Sequence, residues 1–134
     1  MRINKLDHVN IRTTQLNTMI KWYTDVLDLH SGDRPNFPFP GAWMYAGDSA
    51  LVHLVGVDDT PSTESGTQPG TQSRTEKGLE HFALSATGAE EFICLLASKN
   101  IDYQPVELTE IQLLLINLWV PDDNHLRIDF PLDE

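Results

Sequence analysis

Leu6-Asp7-His8-Val9-Asn10-Ile11 and Leu79-Glu80-His81-Phe82-Ala83-Leu84 are two versions of one phrase: an apolar residue, an acid, a histidine, then alternating apolar positions. Alternation over so short a span predicts a strand with one buried face. Its return within a chain of 134 residues predicts a duplicated module.

The residues after each copy repeat a pattern as well. After the first, Leu16, Met19, Ile20, Tyr23, Val26 and Leu27 recur at helical spacing, so one face is apolar. Thr13 or Thr14 supplies the expected N-cap. After the second, residues 86–100 predict another helix, with Thr87 as cap and Glu90 and Glu91 in the first turn, where the helix dipole favours acids. Asn100 suits the stop. A hairpin comes after each helix: residues 42–46 and 49–55 about Gly47-Asp48, and residues 112–120 and 125–130 about residues 121–124. One more strand is expected ahead of each hairpin, near residues 30–34 and 103–108. The expected fold is α+β, a single domain over 1–134 built from two βαβββ modules, 1–57 and 77–134. Residues 58–76 between them are polar and rich in Gly, Pro, Ser and Thr, and read as a flexible linker or a loop that orders over a site. The segment 34–41 mixes prolines with Phe37 and Phe39, and reads either as a stiff loop covering a pocket or as an ordinary hydrophobic loop.

Composition narrows the partners. Twenty acids against nine basic residues give a formal net charge of −11. Nucleic acid and anionic membranes, which need clustered Lys and Arg, are therefore not expected partners. No apolar run approaches the roughly 20 residues of a membrane span. The first residues lack the apolar core of a signal peptide, so a cytoplasmic location is expected. The single cysteine, Cys94, cannot form an internal disulfide or a CxxC zinc pattern, and its apolar helical surroundings predict a small buried core residue.

The histidines gain meaning from the repeat. His53 follows His8 by nearly the interval at which Arg127 follows His81, so His53 and Arg127 hold equivalent places late in the last strand of each module. If the two sheets pair about a pseudo-twofold, they form a half-open barrel around a cleft lined by all four positions. Three of these are His8, His53 and His81. Neutral imidazole is a ligand of zinc, iron, nickel and copper, and three histidines with an open position suit a catalytic metal. Taken singly, each reads first as a hydrogen-bonded structural residue; it is the repeat that favours the metal reading.

These phrases together resemble the vicinal oxygen chelate superfamily of glyoxalases, bleomycin resistance proteins and extradiol dioxygenases. The resemblance rests on Leu6-Asp7-His8-Val9 and on the helix end Trp22-Tyr23-Thr24-Asp25-Val26-Leu27-Asp28-Leu29, with Asp28 where that family commonly has glycine. Ala50-Leu51-Val52-His53-Leu54, Gly78-Leu79-Glu80-His81-Phe82-Ala83 and the tail from Val120 to Phe130 complete it. It implies a homodimer acting on a small oxygen-chelating substrate, with a divalent metal ion (zinc, iron, nickel or manganese) held by His8, His53 and His81. The activity implied is that of a metal-dependent glyoxalase- or dioxygenase-like enzyme, a lyase or oxidoreductase. One position departs: Arg127 stands where the family commonly has glutamate, and a guanidinium cannot ligate a metal. His125 and Asp129, on the same strand face by period two, could take over if the strand shifts register. Alternatively Arg127 anchors an anionic group through its bidentate fork, with or without a metal. Trp43 and His125 join it as candidate substrate contacts. Trp43, Tyr45, Phe37, Phe39 and Trp119 form either an apolar wall or part of the core. No catalytic base is singled out: Asp7, Glu80 and His125 are near in sequence, and alternation turns Asp7 and Glu80 away from the cleft. The competing expectation is a non-catalytic protein that binds or sequesters a small molecule.

Overall fold

In the computed structural model, which describes residues 1–2, 4–58, 79 and 81–133, a strand, a helix and three strands appear in order and then repeat. The chain divides into two compact units, Met1–Thr71 and Gln72–Glu134. Apart from Asp58, the polar segment expected as a linker lies outside the described residues. No described helix is long and apolar enough to cross a membrane.

The first unit comprises β1 (Val9–Thr13), α1 (Leu16–Leu27), β2 (His30–Gly32), β3 (Gly41–Ala46) and β4 (Ser49–Gly56). Its sheet has the order β1-β4-β3-β2, with β1 parallel to β4 and the other neighbours antiparallel. Helix α1 packs on β2, β3 and β4 and buries Met19, Tyr23 and Val26. Across the hairpin, Met44 pairs with Val52 and Ala42 with Leu54, and all four are buried. Full burial of each large side chain is worth roughly 1.5–3 kcal/mol. Because side chains alternate across a strand, the intervening pair, Trp43 and His53, belongs to the opposite face. Gly47 turns the hairpin at φ 57°, a left-handed conformation that glycine takes without penalty.

The start and end of α1 differ in how far the sequence anticipates them. Its cap residue is Gln15, with no side-chain cap bond. Thr13 still belongs to β1, so its Oγ1 instead accepts the Gln15 N–H at 3.0 Å and closes the strand-to-helix turn. At the other end Asp28 takes a left-handed conformation at φ 56°, and the Leu29 N–H donates to the Tyr23 carbonyl at 3.2 Å.

The second unit comprises β5 (Phe82–Ser85), α2 (Ala89–Ser98), β6 (Gln104–Leu108), β7 (Leu113–Trp119) and β8 (His125–Pro131), with the order β5-β8-β7-β6 and β5 parallel to β8. Leu126, Ile128 and Phe130 are buried beside Leu118 and Ile116, and Phe92 of α2 reaches Phe130 at a ring separation of 5.8 Å. The expected cap at Thr87 is not used; Gly88 occupies that position at φ 85°. Asn100 does end the helix, at φ 56°. Cys94 is exposed, contrary to the expected burial. It lies two residues from Leu96, the buried residue of α2, and two residues turn a helix by more than half a circle.

Candidate functional site

Each unit gathers its chemistry on the sheet face away from the buried apolar pairs. In the first, β4 lies between β1 and β3, so His53 has a neighbour on either side. The Trp43 indole stacks on it at 4.0 Å and 12°, and the His8 imidazole at 3.8 Å and 10°. The three rings form one nearly parallel stack with His53 in the middle, which is why a polar side chain is only 8% exposed there. His8 precedes β1, whose pairing with β4 begins at Val9 and Val52. The sequence expectation of a strand from Leu6 is thus corrected: Leu6 is 72% exposed.

Asp7 is also placed differently from the expectation. Outside a strand, alternation no longer separates neighbours, and the Asp7 carboxylate bonds His8 Nδ1 at 2.7 Å. That hydrogen bond, foremost, holds the Asp7 carboxyl below its usual range. Burial, and then the neighbouring His8, push His53 below the usual imidazole range. The stack opens on a pocket of about 520 Å³ whose lining includes Lys5, Asp7, His8, Trp43, Asp48 and His53. Sequence reasoning missed Lys5 and Asp48. They were not legible as site residues, because a charged residue ahead of a strand or in a turn ordinarily faces water.

In the second unit the equivalent face carries His125, Arg127 and Asp129 of β8. Arg127 lies opposite Ala83 and Asn117, as His53 lies opposite Asn10 and Trp43. The two positions are therefore equivalent in register, as their sequence intervals imply. Their surroundings differ. Arg127 donates from Nε and Nη2 to the two carboxylate oxygens of Asp129, at 2.7 and 2.9 Å. The tryptophan–histidine stack moves two residues along, to Trp119 on His125 at 4.9 Å and 9°. His81 tilts against His125 at 4.9 Å and 52°. Asn117 completes the group: its Nδ2 donates to the Gln104 carbonyl at 3.1 Å, so its Oδ1 faces His125 Nε2 at 2.8 Å. A carbonyl only accepts, so this geometry makes His125 Nε2 the protonated nitrogen.

The donor sets bear on the expected metal. Imidazole lone pairs lie in the ring plane, so two nearly parallel stacked rings confine them to separate planes that do not meet at one nearby point. As placed, His8 and His53 do not fit a shared ion, and binding one jointly requires a ring to leave the stack. Among the described residues no three His, Cys, Asp or Glu side chains are grouped to hold a metal. His81 belongs to the second unit, beside His125.

Comparison with known proteins agrees with this duplicated architecture. A glyoxalase/bleomycin resistance protein/dioxygenase domain from Frankia sp. superposes with a TM-score of 0.74 at 18% identity, covering 97% of this chain and 93% of that one. A glyoxalase/dioxygenase from Nostoc punctiforme gives 0.70 at 15%, over 95% and 90%. A genomically encoded fosfomycin resistance protein from Listeria monocytogenes gives 0.66 at 10%, over 96% and 94%. At such identities the likeness is one of fold. No curated protein matches the sequence. The model of the Glyoxalase/Bleomycin resistance protein/Dioxygenase superfamily matches residues 5–97, a span that takes in His8, His53 and His81 and ends ahead of Arg127, and the chain belongs to that superfamily.

Proposed function

We propose that the protein binds and sequesters a small molecule in the pocket of the first unit, and that no metal is needed to hold that ligand. The observation that carries this reading is the Trp43–His53–His8 stack, which lines the pocket with packed aromatic rings rather than with converging lone pairs. Aromatic rings favour offset or edge contacts with another arene. In the second unit, taken by itself, Arg127 is proposed as an anion anchor, through N–H donors beyond the two that Asp129 accepts. The working unit proposed is a homodimer, for which family membership is the support and sedimentation velocity the check.

The test is phenol titration of protein dialysed against a chelator, followed through the histidine and tryptophan ring protons by NMR. Saturable shifts at His53 and Trp43, retained in chelator and lost in His53→Ala, are expected. A second reading, a metal-dependent glyoxalase- or dioxygenase-like enzyme, is favoured by one feature: the Asp7–His8 bond is the kind of carboxylate contact that orients a ligating imidazole. A phenol response that vanishes in chelator and returns with zinc, iron, nickel or manganese would decide for it.

A further inference from the structure

We infer that the segment 34–40 extends this pocket as a fixed aromatic ledge, and that the ligand is a flat, fused-ring aromatic. The inference rests on the proposed pocket and adds the ligand's class.

Three prolines, at positions 35, 38 and 40, restrict the backbone of the segment. Hydrogen bonds hold it at both ends and across its middle. The Tyr45 hydroxyl donates to the Asp33 carbonyl, and the Phe37 N–H donates to the Pro35 carbonyl at 2.8 Å. Arg34 Nη2 donates to the Phe39 carbonyl at 3.3 Å, and the Gly56 N–H to the Pro40 carbonyl at 2.9 Å. The Arg34 guanidinium carbon sits 5.1 Å from the Phe37 ring centre and 5.4 Å from that of Phe39, within cation–π range of both. The two rings lie nearly parallel, at 5.0 Å and 10°.

So braced, Phe37 and Phe39 nevertheless remain 38% and 40% exposed. They also continue the ring series of the pocket. Phe37 lies 6.5 Å from Trp43, which stacks on His53. An exposed apolar surface that adjoins a pocket marks a binding site more than an isolated exposed residue does. Side chains already held in place lose little conformational entropy when they bind. Arg34 directs its charge to the two rings, beside which Phe37 and Phe39 keep exposed apolar surface. One ring of a ligand therefore meets the Trp43–His53 stack while a fused second ring meets Phe37 and Phe39.

The experiment compares phenol, 2-naphthol and the saturated two-ring alcohol decahydro-2-naphthol on wild type and on Phe37→Leu and Phe39→Leu, with folding of each variant verified by its amide NMR spectrum. Phenol needs only the pocket; 2-naphthol needs the ledge as well. The expected result is that each leucine variant weakens 2-naphthol about fivefold while changing phenol less than about twofold, and that decahydro-2-naphthol binds at least about tenfold more weakly than 2-naphthol. Phenol binding with a 2-naphthol affinity unaltered in both variants overturns the ledge and leaves the pocket reading intact. Equal affinity for the planar and saturated alcohols overturns the aromatic class. Absence of any shift at His53 and Trp43 with all three probes overturns the pocket reading and this inference with it.

Discussion

Arg127 closes a two-bond fork on Asp129, two residues along the same strand, from the register position that His53 holds in the other sheet. The pair is partly withdrawn from water, with side chains 27% and 16% exposed. Restoring a carboxylate by Arg127→Glu would set two acids side by side. The expected loss of stability at neutral pH is about 1–2 kcal/mol, between the values of surface and buried pairs. It should shrink in acid as the carboxyls protonate. Urea unfolding of wild type and variant at several pH values checks this, and an unchanged midpoint at neutral pH would count against the fork as a stabilising contact.

His53 gives the molecule a second acid sensitivity. Its ring is held below the ordinary imidazole range, so the unfolded chain binds a proton there at a higher pH than the folded one. Stability from the neutral ring is complete above about pH 6.5. It is lost as the pH falls through the depressed folded value. His53→Phe keeps a ring in the stack and removes the proton. Its unfolding free energy should therefore decline less steeply than that of wild type between about pH 7 and pH 5. Parallel declines would refute the assignment.

The duplicated phrase, the helix faces and both hairpins were legible because alternation and helical spacing are local properties. The equivalence of His53 and Arg127 was legible for the same reason, since register follows from interval. Local patterns could not show where β1 and β5 begin. Leu6 and Leu79 look like strand residues but are 72% and 59% exposed, and pairing starts only at Val9 and Phe82. That difference frees Asp7 to bond His8 and lets the His8 ring lie on His53. Nor could spacing foretell the Arg127–Asp129 fork or the Asn117 contact to His125, each of which depends on which rotamer a neighbour adopts.

Asp28 illustrates a residue whose exception is now physically explained. The family resemblance expects glycine there, and the left-handed φ of 56° supplies the reason, because a Cβ is disfavoured in that region. The side chain is outside the pocket lining. Asp28→Gly should stabilise the protein by about 0.5–1 kcal/mol and raise its melting temperature by about 2–4 °C. Differential scanning calorimetry reads both, and a lower melting temperature would contradict the cap argument.

Cys94 lies on the water side of α2. In native protein without denaturant it should therefore react fully with a chromogenic disulfide reagent, releasing one equivalent of thiolate at a rate close to that of a free thiol. Reaction only after unfolding would restore the buried position expected from its apolar neighbours.

Gly41 is the joint between the aromatic ledge and the sheet. A Cβ there would collide with the Leu54 carbonyl oxygen on the paired strand and would stand 3.0 Å from Arg34 Nη2. The first neighbour is backbone and cannot move without breaking the β3–β4 ladder. The second is the guanidinium that carries Phe37 and Phe39. Gly41→Ala should accordingly destabilise the protein by about 1–3 kcal/mol, and it should also shift the Trp43 and His53 ring resonances, because the ledge and the stack are displaced together. Gly47→Ala provides the contrast. It too loses stability, by about 1 kcal/mol, from its left-handed φ of 57°, but nothing lies within 4 Å of an added Cβ. If Gly41→Ala lowered stability while leaving the Trp43 and His53 signals in place, the ledge would be mechanically separate from the stack, and the continuity of the ring series would have to be given up.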